Sequence, residues 1–180
     1  GFQEGWSVAF SPDGALLAAG VGYEVWIYRV ADAALLHKLR GHEWSVFGLA
    51  FSPDGTVLAS ASGDHAVKLW SVPDFALLRT LTGHTFFVSA VAFHPAGEVL
   101  ASSSWDGTVR LWRVADGAPL GTLTGHADAV NDVAFSPDGT RLASAGADHA
   151  ILVRSYPGGD VIHTLDAPYA STVAFTPDGG

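Results

Sequence analysis

Histidine, serine and aspartate, the residue types of a hydrolase triad, recur in this chain at a spacing of 42 residues. The three sets are His42, Ser60 and Asp64; His84, Ser102 and Asp106; and His126, Ser144 and Asp148. A triad needs one exposed nucleophile in one cleft. A trio that recurs once per repeat therefore indicates a structural role, and we expect no enzymatic activity.

Metal chemistry is also not expected from these residues. The three histidines fall in separate repeats, so they are unsuited to a shared metal site. Each Ser-Pro-Asp-Gly segment, such as residues 52–55, offers one carboxylate, whereas a calcium loop needs several closely spaced acids. Cysteine is absent, which excludes disulfides and thiolate ligands. The sequence predicts neither a metal nor a cofactor.

Composition narrows the class of partner. Hydrophobic residues make up 48% of the 180 residues, which is enough to form a large core. Eighteen acids against nine bases give a formal net charge of −9, and no two basic residues are adjacent. Because nucleic acids and anionic membranes attract concentrated basic surfaces, neither is expected as a partner. No apolar run approaches about 18 residues, so we expect no membrane span and a cytoplasmic location.

The elements that position the polar trios follow a repeat. The phrase Val-Ala-Phe-Ser-Pro-Asp-Gly, or a near copy, occurs five times, with its phenylalanine at Phe10, Phe51, Phe93, Phe135 and Phe175. Successive copies are 41, 42, 42 and 40 residues apart. A period of about 40 to 45 residues built from short apolar runs indicates one small sheet per repeat. We treat the chain as a single region with repeats at 1–40, 41–82, 83–124 and 125–165, and a partial fifth at 166–180.

The second repeat predicts four antiparallel strands and no helix. β-Branched and aromatic residues mark the strands, and a Ser-Pro-Asp-Gly turn, the segment 63–65 and a Pro-Asp turn separate them. Such a sheet cannot bury both faces alone, so we expect neighbouring sheets to stack. The predicted strands are 45–51, 57–61, 66–72 and 76–81.

These features resemble the WD-repeat β-propeller family. Gly-His at the start, Ser-Pro-Asp-Gly after the first strand, Asp in the second turn and Trp ending the third strand carry the likeness over nearly the whole chain. It implies an all-β propeller of four-stranded antiparallel blades, here four full blades plus one extra innermost strand at 172–175. It also implies that the Asp of each trio joins the His, the Ser and a tryptophan in a hydrogen-bonded network. The matching tryptophans are Trp70 and Trp112.

Two repeats depart from this pattern. The fourth keeps its His-Ser-Asp trio but has Arg154 where the tryptophan is expected. The first lacks Gly-His and carries Gly22-Tyr23 near the expected aspartate, so we expect its network to be absent. His65 and His149, each directly after a turn aspartate, are expected to face solvent.

The resemblance places the residues after Gly-His and before the turn aspartate on the top rim of the ring. Large aromatic residues anchor protein interfaces, so an aromatic rim with acidic neighbours predicts a protein or peptide partner carrying Arg or Lys. Phe47 and Phe87 can equally pack between blades, and Trp6 and Tyr169 occupy comparable places. The candidate rim residues are Glu43, Trp44, Phe86, Trp105, Asp128 and Asn131.

The number of blades is compatible with more than one way of completing the ring. Propellers close with about 4–8 blades. Because the sequence begins with Gly1 and has no methionine, we expect a piece of a longer polypeptide whose other blades complete the ring. A homodimer of two copies and a ring closed by four blades are the alternatives.

The predicted function is a non-catalytic interaction scaffold. One alternative is an enzyme or ligand-binding propeller with its site at the central channel, although the first strands carry mostly Ala, Val and Ser. Another is a structural part of a larger regulatory protein.

Overall fold

The computed structural model describes residues 7–168 and 170–179 and contains four sheets of four strands each. Every sheet is antiparallel, and its strands follow one another in chain order. Helix is absent from these residues, so this part of the chain holds no helical segment of the length and apolarity that crossing a membrane requires. The predicted all-β fold is confirmed.

The chain divides into two compact units, residues 1–88 and 89–180, and the boundary falls at the first residue of β9. Sheet 1 consists of β1 (Val8–Phe10), β2 (Leu16–Val21), β3 (Glu24–Arg29) and β4 (Ala34–Leu39). Sheet 2 consists of β5 (Val46–Phe51), β6 (Val57–Ser62), β7 (Ala66–Ser71) and β8 (Leu77–Thr82). Sheet 3 consists of β9 (Val88–Phe93), β10 (Val99–Ser104), β11 (Val109–Arg113) and β12 (Pro119–Leu123). Sheet 4 consists of β13 (Val130–Phe135), β14 (Arg141–Gly146), β15 (Ala150–Ser155) and β16 (Val161–Asp166).

The Ser-Pro-Asp-Gly segments form the tight turns that the sequence predicts. In sheet 2 the Ser52 hydroxyl donates to Asp54 Oδ1 at 2.6 Å, and the backbone amide of Thr56 donates to the same oxygen at 3.0 Å. Gly55 has a φ of 71° and donates its amide to the Ser52 carbonyl at 2.8 Å. Glycine is favoured there because side chains disfavour a positive φ.

Stacking of sheets within each compact unit buries the apolar residues, as expected. In the first unit, side chains such as Ile27 of sheet 1 and Leu58 and Trp70 of sheet 2 share one core cluster. In the second unit, Leu111 of sheet 3 and Leu142 of sheet 4 share another. The outermost strand of each sheet is more exposed, and β16 is exposed along its whole length.

The prediction of an extra strand at residues 172–175 is wrong, because the structure assigns no strand there. Asp132 Oδ2 accepts hydrogen bonds from the Thr172 hydroxyl at 2.7 Å and from the Val173 amide at 2.9 Å. The first strand of each complete sheet pairs with the strand that follows it in the chain. Among the described residues, no strand is paired with residues 172–175.

Candidate interaction surfaces and their structural network

The predicted polar network is present in sheet 2. His42 Nδ1 lies 2.7 Å from Asp64 Oδ2, and His42 Nε2 lies 2.7 Å from Ser60 Oγ. Trp70 Nε1 donates to the same Ser60 oxygen at 2.8 Å. The Ser60 side chain is fully buried, so its hydroxyl cannot meet a substrate. This trio is therefore a structural link between the loop before β5 and the turn after β6.

The direction of these hydrogen bonds follows from the donors available. The indole of Trp70 can only donate, so the Ser60 oxygen accepts from it. The ionised carboxylate of Asp64 can only accept, so His42 donates to it from Nδ1.

Asp64 is held in its charged form. Burial by itself would raise the pKa of Asp64, but the hydrogen bond and charge of His42, with the backbone amides of Glu43 and Ala66, lower that pKa to about 2. The two amides lie 3.0 and 3.1 Å from the carboxylate oxygens. Hydrogen bonding to the ionised form therefore outweighs desolvation.

Sheet 3 has the same hydrogen bond from a tryptophan to a buried serine. Trp112 Nε1 donates to Ser102 Oγ at 2.8 Å, and His84 and Ser102 are buried. The aspartate in the turn of this sheet, Asp106, accepts from the amide of Thr108 at 3.0 Å.

Sheet 4 has Arg154 in place of the tryptophan. Arg154 is buried and donates to the carbonyl oxygens of Thr124 and Gly159. His126 Nδ1 lies 3.0 and 3.1 Å from the two carboxylate oxygens of Asp148. A Cβ at Gly146 would overlap that imidazole and carboxylate. The pair thus occupies the space that serine side chains take at the equivalent positions of sheets 2 and 3.

Sheet 1 has a different and more exposed set of hydrogen-bonded side chains. Trp26 Nε1 and Arg40 Nε each donate to the carboxylate of Glu24 at 2.8 Å. These bonds, that from Trp26 first, lower the pKa of Glu24. Lys38 Nζ lies 3.8 Å from the centre of the Trp26 ring.

Six aromatic rings meet on the surface of the first compact unit, and we call this set the aromatic surface. Trp44 stacks near Tyr23 and Phe87, with ring centres 6.4 and 6.2 Å away. The Phe86 and Phe87 rings are nearly parallel at 4.5 Å. Three of the rings remain about half exposed: Tyr23 at 53%, Trp44 at 50% and Phe86 at 44%. The six residues are Tyr23, Trp44, Phe47, His65, Phe86 and Phe87.

Local backbone features hold these rings in place. A Cβ at Gly63 would overlap the Trp44 indole and lie 3.1 Å from Phe47 Cε2. Glycine is therefore needed there for space, whereas the positive φ of this hairpin, 70°, belongs to His65. Phe47 lies where the register between β5 and β6 shifts, and such a bulge redirects a side chain.

A separate cleft of about 430 Å³ lies in the second compact unit. It is lined by the turn between β10 and β11 and by the loop before β13, and it contains Trp105 and Asp128. The Trp105 side chain is 45% exposed. We call this the Trp105 cleft.

The model of the WD domain, G-beta repeat, matches residues 33–71, 75–113 and 117–154, which is more than half of the sequence. The chain belongs to this WD-repeat family.

Its curated WD-repeat relatives are much longer proteins. The chain is 36% identical over 66 residues to the Intraflagellar transport protein 122 homolog of Danio rerio, which covers 37% of the chain and 6% of that protein. It is 38% identical over 64 residues to the human homolog, covering 36% of the chain and 5% of that protein. It is 40% identical over 65 residues to the Periodic tryptophan protein 2 homolog of Mus musculus, covering 35% of the chain and 7% of that protein. The chain thus matches only a small fraction of each relative's length.

The structure distributes the candidate rim residues of this WD-repeat chain over several places. Trp44 and Phe86 lie in the aromatic surface, exposed Glu43 precedes Trp44, and Trp105 and Asp128 line the Trp105 cleft. Asn131 lies elsewhere: it occupies a register shift of β13, and its amide donates to the Ala170 carbonyl at 3.1 Å. Its side chain thus anchors the segment after β16.

Sequence reasoning missed two members of the aromatic surface. Tyr23 lies in the turn between β2 and β3, the place of the turn aspartate in other repeats, and this correspondence is the signal that could have found it. The expectation that His149 faces solvent is confirmed, since that residue is exposed. For His65 it is wrong, because the residue is half-buried and its ring lies 6.0 Å from Phe86 and from Phe87. Trp6 and Tyr169, the remaining aromatic candidates, lie outside the described residues.

Proposed function

We propose that this WD-repeat chain is a non-catalytic scaffold that binds a protein or peptide through its aromatic surface. The observation that carries the proposal is that three half-exposed rings are held in place by packing on other rings and on Gly63. Aromatic side chains that are rigid before binding lose little conformational entropy and make the strongest anchors of protein interfaces. The net charge of −9 favours a partner that carries Arg or Lys.

Peptides selected from a random library on the wild-type protein test this proposal. We expect Trp44→Ala to weaken their binding about tenfold or more, which is the usual effect of removing an anchor. Leu78→Ala is the matched control, because Leu78 is similarly exposed on β8, outside the aromatic surface. Loss of thermal stability in Trp44→Ala without any change in affinity would refute the proposal.

We also propose that further repeats of a longer chain, or a second copy, cover the exposed apolar residues of sheets 1 and 4. Val8 and Phe10 of β1 are exposed, and so are Val161 and Ile162 of β16. Beside residues 173–175, sheet 4 borders an apolar cleft of about 330 Å³. Light scattering coupled to size-exclusion chromatography tests the homodimer, and a monomeric mass would exclude it.

The cytoplasmic location stays a prediction.

A further inference from the structure

The Trp105 cleft combines an exposed aromatic ring with acceptor groups, and its lining contains no lysine or arginine. Its volume of about 430 Å³ falls within the usual range of small-ligand sites, about 300–1,000 Å³. The lining is polar as well as aromatic, which distinguishes it from the aromatic surface. The residues that line it are Trp105, Asp106, Gly107, Thr108, Thr124, and 126–129.

Hydrogen-bond acceptors dominate this lining. Asp128 uses Oδ1 to accept the amide of Ala129 at 2.7 Å, and no bond to its Oδ2 is found among residues 7–168 and 170–179. The carbonyl oxygens of Asp128 and His126 face Gly107, since a Cβ there would lie 3.5 and 3.8 Å from them. The imidazole of His126 is already engaged on both sides by Asp148 and Ser144. The cleft therefore offers acceptors and an indole face to a ligand.

A guanidinium group fits this combination better than other groups. It is planar and stacks on an indole ring, and it presents a fork of donors that matches a carboxylate. A lysine ammonium has the charge but lacks the plane and the fork. Arg154, which bonds to the carbonyl of Thr124, brings a positive charge near one wall. Its guanidinium is buried, whereas Trp105 and Asp128 are among the exposed residues of the lining.

We propose that the Trp105 cleft binds an arginine side chain of the partner, with the guanidinium over the Trp105 ring and its donors on Asp128. This inference rests on the proposed binding function, of which it names one contact.

The test uses short capped peptides and needs no identified partner. Acetyl-Gly-Arg-Gly-amide is titrated into the whole chain, and the Trp105 indole N–H signal is followed by NMR after assignment with Trp105→Phe. We expect a saturable shift, and about tenfold weaker binding both for the uncharged citrulline peptide and for Asp128→Asn. Asp166→Asn, which removes a charge from exposed β16, should leave the titration unchanged.

Equal binding of the arginine and citrulline peptides, or full binding by Asp128→Asn, would overturn the proposal. Equal binding of the lysine peptide would overturn the choice of arginine. If the Trp44 test fails while this titration succeeds, the aromatic surface is not the anchor but the arginine site stands. The reverse result removes the arginine site and leaves the proposed function intact.

Discussion

Replacing Asp64 with alanine removes the acceptor shared by three hydrogen-bond donors. The carboxylate receives His42 Nδ1 at 2.7 Å and the amides of Glu43 and Ala66 at 3.0 and 3.1 Å. The His42 side chain is 1% exposed and that of Asp64 is 11% exposed. Water therefore cannot fully replace the lost acceptor.

Two arguments give the same magnitude for the stability lost when Asp64 is replaced. Leaving buried donors unpaired costs about 1–3 kcal/mol. Independently, a shift of the Asp64 pKa from 3.8 to about 2 corresponds to about 2 kcal/mol of stability at neutral pH. We therefore expect Asp64→Ala to lower the free energy of unfolding by about 2 kcal/mol at pH 7.

The stability that Asp64 contributes decreases as the pH is lowered. Because the pKa of Asp64 is lower in the folded state, its contribution is complete above the unfolded value of 3.8 and is lost as pH falls through about 2. The difference between wild type and Asp64→Ala should therefore be present at pH 5 and shrink between about pH 4 and 2.

Urea unfolding of both proteins across this pH range measures the difference directly. Other carboxylates titrate in both proteins, so subtracting the two curves isolates Asp64. Asp166→Ala is the control, since it removes the same charge from an exposed position. A difference below about 0.5 kcal/mol at pH 7, or one that does not change down to pH 2, would refute the role of Asp64 as a buried acceptor.

Three further predictions concern packing and anchoring. Gly146→Ala should lower thermal stability by about 1–3 kcal/mol, because its Cβ overlaps the imidazole–carboxylate pair of sheet 4. Gly121 has open space around it, so Gly121→Ala should leave the thermal stability nearly unchanged in the same thermal unfolding experiment. Gly63→Ala should displace the indole of Trp44 and change the near-ultraviolet circular dichroism; an unchanged spectrum would contradict the contact. Asp132→Ala should speed proteolysis of the segment after β16, which this carboxylate holds, and wild-type cleavage rates would argue against that anchor.

Much of the fold was predictable because its signals are local. The strands of sheet 2 begin and end within about one residue of the predicted bounds, since β-branched runs and Pro-Asp-Gly turns act on neighbouring residues. The network of His42, Ser60, Asp64 and Trp70 was predictable for another reason. The repeat places the same residue types at matching positions, and the resemblance to the WD-repeat family supplied their roles.

What the sequence did not indicate depends on contacts with other segments of the chain. Residues 172–175 have strand-forming side chains, yet a strand also needs a hydrogen-bonded neighbour, and no strand of the described residues pairs with them. The place of Asn131 on the rim stays a prediction, and no local pattern indicates that its amide donates to the Ala170 carbonyl. The sequence around His65 indicates only a turn, and the contact of its ring with Phe86 and Phe87 depends on the tertiary structure.

Sequence alone determined the period, the turns and the strands, because these follow from the conformational preferences of adjacent residues. Only the tertiary structure decided which aromatic side chains share a surface and which glycines make room for them. Gly63 shows the difference: its φ is not positive, and it is required because Trp44, from a different segment, packs on its backbone. Such a constraint is a matter of excluded volume between distant residues, which no local pattern records.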